Sequence, residues 1–285
     1  MTAPRRHRAR KRFGQHFLVD PWARKVVAAL APAPGDVFLE IGPGRGALTL
    51  PLAETGAPVL AVDIDRDLTA DLAARVPPNV TLLTGDVLTL DVLPFLAGLQ
   101  PQRPPSLTAG APAPARRFRA VGNLPYNLST PILFRLIDMH RRHGVFADAT
   151  LMLQREVADR LLARAGTRDY GVLTIMVTMY ARVTRLLNLP PGAFVPPPKV
   201  RSTVVGLTFG PPAVKVPDEA LFERLVRSVF TQRRKTLANG LKAFDRTGPA
   251  VLALSGIDPR RRPETLTLTD LARLTELFAS VRRPQ

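Results

Sequence analysis

The 285-residue chain contains no cysteine, so disulfides, thiolate metal sites and a cysteine nucleophile are excluded. Its four histidines are too few and too scattered for a metal cluster, and no metal site is predicted. No apolar run of about 18 residues occurs, so a membrane-spanning helix is not expected. No apolar segment follows the Arg-rich start, which therefore does not resemble a secretory signal. These absences favour a cytoplasmic protein that does not associate with membranes.

Acidic residues are scarce beside basic ones, 23 against 40, giving a formal net charge of +17. Residues 1–35 carry 8 basic and 1 acidic residue, and residues 199–285 carry 16 and 8. The middle of the chain, residues 36–198, is nearly neutral with 16 and 14. This distribution predicts that the two ends hold a polyanion while chemistry occurs between them. A basic protein whose charge only confers solubility is the alternative.

Short apolar runs alternate with helical periodicity in the first half of the chain, which predicts a parallel, doubly wound α/β sheet of the Rossmann-like kind. The Pro-rich residues 100–117 are expected to form a mobile surface loop. The predicted strands are 37–41, 59–62, 80–83, 118–123 and 150–153, and the predicted helices are 22–30, 47–55, 67–75, 130–142 and 155–164.

The second half of the chain predicts a helix over 171–180 and strands over 183–189 and 203–209. The Pro-rich stretch between these two strands cannot form a central strand of a sheet. From about residue 216 the pattern is helical, with segments at 218–230, 232–243, 248–255 and 269–282. We therefore expect a basic arm (1–12), a catalytic α/β domain (13–212) and a small all-helical domain (213–285) that helps to bind the polyanion.

A glycine-rich loop, residues 40–46, follows the first predicted strand and opens a helix, as in cofactor-binding folds. Asp63 ends the next strand 21 residues after Gly42, where a carboxylate can accept hydrogen bonds from ribose hydroxyls. Both features fit a nicotinamide dinucleotide and S-adenosylmethionine alike. Asp86, at the end of the third strand, is placed to accept from the cofactor adenine. A helix cap or turn is the commoner role for any one such aspartate.

The run Asn123-Leu124-Pro125-Tyr126 follows the fourth predicted strand. The Asn123 side-chain oxygen and the Leu124 carbonyl can accept hydrogen bonds from an exocyclic amine and aim its nitrogen at a methyl donor. Pro125 restricts the preceding backbone, and Tyr126 can stack on a base. The run resembles the site of an amino-directed methyltransferase. An ordinary turn at a strand end is the alternative.

The chain resembles the small-subunit ribosomal RNA adenine dimethyltransferases, the KsgA group, through ordered motifs between about residues 10 and 270. Besides the glycine loop and the Asn123–Tyr126 run, the matching segments are 11–18, 62–67, 85–86, 152–157, 194–200, 230–236 and 257–259.

The resemblance implies S-adenosylmethionine as cofactor and a set of site residues. Cofactor contacts are expected from His16, Leu18, Gly42, Gly44, Asp63, Asp86 and Asn123. Handling of the target adenine is expected from Asn123, Leu124, Pro125 and Tyr126, with Phe194 stacking on its other face; Phe194 as a core residue is the alternative. RNA contacts are expected from Arg10, Lys11, Arg12, Lys199, Arg233, Arg234 and Lys235.

Two residues depart from the family pattern, because His16 stands where Asn is frequent and Asp63 where Glu is usual. The resemblance implies repeated methyl transfer to the N6 amine of two adjacent adenosines, in a hairpin near the 3′ end of 16S ribosomal RNA. The expected partner is the precursor of the small ribosomal subunit, and the protein is expected to be a monomer. The alternatives are a 23S ribosomal RNA methyltransferase and a non-catalytic assembly factor of the same fold.

Overall fold

The structure, a computed structural model, describes residues 15–99 and 117–282. The predicted basic arm and nearly all of the predicted loop over 100–117 lie outside these residues. The strands are β1 Phe17–Leu18, β2 Asp36–Ile41, β3 Val59–Asp63, β4 Val80–Thr84, β5 Arg117–Asn123, β6 Phe146–Gln154, β7 Ala181–Leu189, β8 Phe194–Val195 and β9 Ser202–Phe209. The helices are α1 Asp20–Leu30, α2 Thr49–Ala53, α3 Arg66–Ala73, α4 Leu93–Gly98, α5 Ser129–His143, α6 Arg155–Leu161, α7 Val172–Thr178, α8 Glu219–Thr231, α9 Leu237–Phe244, α10 Gly248–Ser255 and α11 Leu268–Arg282.

Seven of the described strands form one sheet in the order β4-β3-β2-β5-β6-β9-β7. The pairs from β4 to β6 are parallel, whereas β9 runs antiparallel to β6. The Rossmann-like fold class is confirmed, and the sheet is mixed rather than wholly parallel. Since β3, β2 and β5 are adjacent and parallel, the residues that follow them meet at one edge of the sheet.

Helix ends follow the local chemistry of the chain. The Asp218 carboxylate accepts from the Leu221 N–H at 2.8 Å and caps α8, and Asp65 caps α3 through the Asp67 N–H at 3.2 Å. Helix α5 ends at Gly144, whose φ of +60° is the left-handed conformation that suits a helix C-terminus.

The predicted helix over 232–243 is wrong in its first turn, because α9 begins only at Leu237. The chain leaves α8 at Gln232, and the Lys235 N–H bonds to the Gln232 carbonyl at 2.8 Å, which closes a turn instead of continuing the helix. The basic side chains of Arg233, Arg234 and Lys235 therefore lie on a connection between two helices.

Three short elements carried no sequence signal strong enough to predict them. Helix α4 is six residues long, and β1 and β8 are two-residue strands that form an antiparallel pair of their own. In that pair Leu18 lies opposite Phe194. Short elements of this kind depend on tertiary contacts rather than on sequence periodicity.

The chain divides into two compact units. One contains the sheet, with the chain through Ala158 and from Val183 to Phe209; the other contains residues 159–182 and the chain from Gly210 onward. The segment 159–182 joins the helical unit because the Tyr170 ring meets Phe230 edge-on at 6.0 Å and the Tyr180 carbonyl accepts from the Gly210 N–H at 3.0 Å. The predicted boundary at residue 212 did not include this segment.

A buried ion network ties the strands together at the start of β2 and β5. The Arg119 guanidinium contacts one Asp36 oxygen at 2.7 Å and Asp148 at 2.9 Å, and it donates to the Leu30 carbonyl at 2.8 Å. Asp36 has no exposed side-chain area, while Arg117, paired with its other oxygen at 2.6 Å, is half exposed. Removing one partner of a buried pair leaves a desolvated charge behind.

We predict that Arg119→Met lowers the free energy of unfolding by about 3–5 kcal/mol. The matched control, Arg117→Met, removes an equal charge from the same carboxylate but leaves Arg119 in place, and it is expected to cost about 1 kcal/mol or less. Urea unfolding of the two variants measures both values. Equal losses would show that burial of the network is not what stabilises this end of the sheet.

Candidate active site

One pocket at the carboxyl edge of the sheet collects most of the predicted site residues. It is lined by His16, Leu18, Gly42, Gly44, Asp63, Asn123, Leu124, Pro125 and Tyr126, together with Gln15, Phe17, Glu40, Pro43, Arg45, Ala47, Leu48, Ile64 and Leu68. The strand order places these groups together, because the loops that follow β2, β3 and β5 start side by side.

The glycine loop is held against the end of β3. Asp63 is buried, and its carboxylate accepts from the Gly44 N–H at 3.1 Å and from the Asp65 N–H at 2.9 Å. Burial raises the pKa of Asp63, and these backbone donors oppose that rise. Asp63 therefore shapes the loop as well as lining the pocket. That Asp63 accepts hydrogen bonds from the ribose hydroxyls of a cofactor stays a prediction.

A side chain at either of two glycines in this region would be crowded. Gly44 has a φ of +55°, and a Cβ there would lie 3.2 Å from the Phe17 ring. A Cβ on Gly122 would lie 2.6 Å from the Ile41 carbonyl oxygen, because β2 and β5 run close together before Asn123. The close approach brings the end of β5 beside the glycine loop.

Asn123 has a fixed orientation in the pocket. Its side-chain nitrogen donates to the His16 carbonyl at 2.7 Å. A carbonyl can only accept, so the amide must present nitrogen to it and leave Oδ1 on the opposite side. Among the described residues none donates to Oδ1 or to the Leu124 carbonyl. The site thus offers two acceptor oxygens from consecutive residues.

His16 holds the two sides of this pocket together. Its Nδ1 lies 2.7 Å from the Pro196 carbonyl, which makes Nδ1–H the donor. Its ring stacks on Tyr126 with 5.5 Å between centroids. The Tyr126 hydroxyl lies 2.8 Å from the Ser202 hydroxyl, and burial raises the pKa of Tyr126. Tyr126 is therefore fixed at both its ring and its hydroxyl.

Two predicted site residues do not line the pocket. Phe194 is 1% exposed and belongs to the hydrophobic core, and its role as a stacking wall stays a prediction. Asp86 follows β4, and its carboxylate accepts from the Leu88 N–H at 2.9 Å, which is a turn contact. A role for Asp86 toward the cofactor adenine stays a prediction.

Sequence reasoning did not assign a site role to several residues that line the pocket. The most informative are Glu40, which is fully buried, and Ile64, which keeps 49% of its surface exposed directly after Asp63. The sequence gives only a weak signal for this residue, namely an apolar side chain directly after a carboxylate at a strand end. Such a side chain can cover a flat ring of a bound ligand. Arg45 lies over the Phe17 ring at 4.3 Å.

The predicted RNA-contacting residues have different surroundings. Lys199, Arg234 and Lys235 are exposed, whereas Arg233 donates to the Arg168 carbonyl at 2.8 Å and helps to fix its own loop. Arg10, Lys11 and Arg12 lie outside the described residues. Within the described part of the chain no helix is long and apolar enough to span a membrane.

The pocket suits a cofactor that carries hydroxyls, a flat ring and positive charge. Glu40 Oε2 is buried without a hydrogen-bond partner among the described residues, Asp63 supplies a second carboxylate, and Gly44 leaves space for a close approach. Acceptors for an amine lie beside this acidic end. Such a layout defines an S-adenosylmethionine-dependent methyltransferase, and the comparisons with known proteins give the same class.

A model of the family described as ribosomal RNA adenine dimethylase matches residues 6–280, and the chain belongs to this family. It is 44% identical to the ribosomal RNA small subunit methyltransferase A of Aromatoleum aromaticum, over 96% of each chain. It is 45% identical to the protein of the same name from Nitrosococcus oceani, over 95% of this chain and 97% of the relative. Its substrate is accordingly RNA.

Two solved structures match most of the chain. A dimethyladenosine transferase from Plasmodium falciparum aligns with 93% of this chain, and the alignment includes 98% of the transferase. The TM-score is 0.70 and the sequence identity is 26%. The 23S rRNA methyltransferase ErmE aligns with 92% of this chain, and the alignment includes 99% of ErmE. The TM-score is 0.61 and the sequence identity is 25%.

We predict that Gly44→Ala weakens binding of S-adenosylhomocysteine by about tenfold, because alanine disfavours the left-handed backbone that residue 44 adopts and its methyl group presses on Phe17. Gly98→Ala is the control, since a Cβ there meets nothing within 4 Å. Calorimetric titration of both variants gives the two dissociation constants. Equal affinity in both variants would mean that the glycine loop does not contact the cofactor.

Proposed function

We propose that the protein transfers methyl groups from S-adenosylmethionine to the N6 amine of two adjacent adenosines, in a hairpin near the 3′ end of 16S ribosomal RNA, and so forms dimethyladenosine during small-subunit assembly. The observation that carries this proposal is the fixed amide of Asn123. Within the described part of the chain neither its oxygen nor the Leu124 carbonyl receives a hydrogen bond, and both residues line the pocket beside the glycine loop.

Each residue of the Asn123–Tyr126 run has a separate task in this reaction. The two acceptor oxygens bind the two hydrogens of an amine and direct its lone pair, which is otherwise delocalised into the adenine ring. The Leu124 side chain is 1% exposed, and this anchor holds its carbonyl still. The Tyr126 ring already stacks on His16, so its surroundings accept a planar partner.

When bound, the cofactor supplies a methyl group on a positively charged sulfur. The chain's own contribution is orientation and electrostatics, which together account for large rate factors in enzymes. The proton lost from the methylated nitrogen passes to water or to the Asn123 oxygen. A second turnover on the same nitrogen gives the dimethylated base, and the target base must be unpaired or flipped to reach the pocket.

The choice of small-subunit RNA is supported by the relatives named ribosomal RNA small subunit methyltransferase A, which are more similar to this chain than ErmE is. A non-catalytic assembly factor is less well supported, because the site keeps its acceptor geometry. We also propose that the protein acts in the cytoplasm, as a monomer, on a precursor of the small ribosomal subunit.

We predict that Asn123→Ala lowers methyl transfer by about 10²–10³-fold while the protein stays folded, because one of two amine acceptors is lost. Asn79→Ala is the matched control, as Asn79 also donates to backbone carbonyls, those of Ala53 and Ala57, but lies outside the pocket. The assay follows labelled methyl groups into undermodified small-subunit and large-subunit particles. Near-normal transfer by the Asn123 variant, or label entering large-subunit RNA, would refute the proposal.

We predict that reversing Arg234 and Lys235 to Glu weakens RNA binding and lowers its log–log salt slope by at least about 1.4–1.8, or roughly 0.7–0.9 for each lost phosphate contact. The control is the reversal of Arg141 and Arg142 on α5, which changes the net charge by the same amount. Both of these side chains are already paired with Asp138, so they are not expected to contact RNA. Deleting residues 1–12 should also flatten the slope. Filter binding across a salt series decides, and parallel slopes for parent and variants would reject the polyanion-binding role.

A further inference from the structure

The Pro-rich loop that continues from β8 exposes apolar side chains beside the pocket. Val195 keeps 53% of its surface exposed and Val200 keeps 44%, and Pro196 and Pro197 between them are exposed as well. Single exposed apolar residues are common on protein surfaces and need no explanation. These residues instead fall together, on a loop whose Pro196 carbonyl accepts from His16 of the pocket at 2.7 Å. A cluster in that place indicates contact with a partner.

The side chain of Val195 lies on the pocket side of the β1–β8 pair. Directly opposite residues of an antiparallel pair point to the same face, and the partner of Val195 is Phe17, which lines the pocket. The preceding residue, Phe194, points the other way and is buried in the core. The described residues that line the pocket do not include Val195 itself. Val195 therefore lies at the rim of the pocket, beside Phe17.

The loop is fixed at both ends. At its start Phe194 is anchored in the core. At its end the Arg201 carbonyl accepts from the Arg155 N–H at 3.0 Å, and the Ser202 hydroxyl lies 2.8 Å from that of Tyr126. Three consecutive prolines between these ends restrict the backbone further. The exposed valines are thus held in place before a partner arrives, which lowers the entropic cost of binding one.

The charges on the loop indicate which kind of partner it meets. Lys199 and Arg201 are exposed on either side of Val200. Cations next to an apolar tip suit a nucleic acid, because the phosphates can bind the cations while the bases contact the apolar groups. An acidic protein surface could also bind the cations. RNA is the better match, since the pocket beside the loop belongs to an enzyme that acts on RNA.

The proposed reaction leaves a gap that such a tip can fill. An adenine that enters the pocket leaves the stack that it formed with its neighbours, and this unstacking costs free energy. Proteins that open a base step often insert an apolar side chain between the bases. Valine suits this task because its branched side chain is stiff at χ1 and has little conformational freedom to lose on binding.

We propose that Val195 is a wedge that occupies the place in the RNA stack from which the target adenine has moved, while Lys199 and Arg201 bind the flanking phosphates. This inference rests on the proposed function, since it assumes that an adenine of an RNA hairpin enters the pocket. Val195 takes no part in making or breaking a bond. It is a positioning residue that favours the unstacked state of the target.

The experiment compares two small-subunit particles, each reconstituted with 16S RNA that carries a ligated synthetic 3′ hairpin. In the stacked particle one of the two adjacent adenosines is already dimethylated, so a single target remains beside an intact base. In the abasic particle the same nucleotide lacks its base, so the target has no base on that side from which to unstack. Single-turnover transfer of labelled methyl groups gives a rate for each particle.

We expect Val195→Ala to be at least about fivefold slower than the parent on the stacked particle, and to come within about twofold of the parent on the abasic one. Val195→Leu keeps an apolar side chain and should retain at least about half of the parent rate on both particles. The matched control is Val281→Ala, which truncates a valine that is 42% exposed on α11, and it should match the parent throughout. Calorimetric titration with S-adenosylhomocysteine should give the same dissociation constant for Val195→Ala and the parent.

Several results would overturn the proposal. Equal slowing of Val195→Ala on both particles, or weaker binding of S-adenosylhomocysteine, would assign Val195 to the support of Phe17 or to a protein contact. A parent rate for Val195→Ala on the stacked particle would show that no wedge is needed. A parent enzyme that is inactive only on the abasic particle would show that the neighbouring base does more than stack. If the parent methylates neither particle, the proposed function fails before this inference is reached.

Discussion

The active site depends on one hydrogen bond, from the Asn123 side-chain nitrogen to the His16 carbonyl, 2.7 Å long. It commits the amide nitrogen to the protein, and the proposed function assigns the opposite amide oxygen to the substrate. The same His16 binds the Pro196 loop through Nδ1 and stacks on Tyr126. The N-terminal segment, the strand-end run and the Pro-rich loop are in this way fixed to one another, although they are far apart in the sequence. Orientation of a weak nucleophile requires such rigidity.

Acidic and basic residues are concentrated in different segments of the chain. The segment 36–98 carries 9 acidic and 3 basic residues, and two of its carboxylates, Glu40 and Asp63, are buried in the pocket. Because folded Glu40 binds its proton more tightly than an unfolded chain does, the free energy of folding becomes less favourable as pH rises from about 4.5 to about 7. The basic ends of the chain suit the polyanionic substrate instead.

Much of the fold and part of the site were predictable from the sequence. The strands around the pocket are buried, apolar and short, and the glycine loop and the Asn123–Tyr126 run directly follow two of them. Periodicity and turn chemistry report such features well. The ordered motifs also identified the family, which the family model and relatives confirm.

Other features could not be predicted because they depend on tertiary contacts. The pairing of Leu18 with Phe194 joins residues 176 positions apart, and it directs Phe194 into the core rather than toward the pocket. The burial of Glu40, and the resulting rise in its pKa, appears only once α2 and β3 surround it. The grouping of residues 159–182 with the C-terminal helices likewise rests on contacts such as that of Tyr170 with Phe230. Local sequence does not encode any of these.

The central claim is that the two acceptor oxygens orient one exocyclic amine at a time in a defined RNA hairpin. Its most direct test is mass-spectrometric mapping of adenines in undermodified small-subunit particles after incubation with the protein and isotopically labelled cofactor. We expect labelled dimethyladenosine at two adjacent positions near the 3′ end of 16S ribosomal RNA, with the monomethylated base as an intermediate. Methylation at ring nitrogens or carbons, or at scattered adenines, would contradict the account.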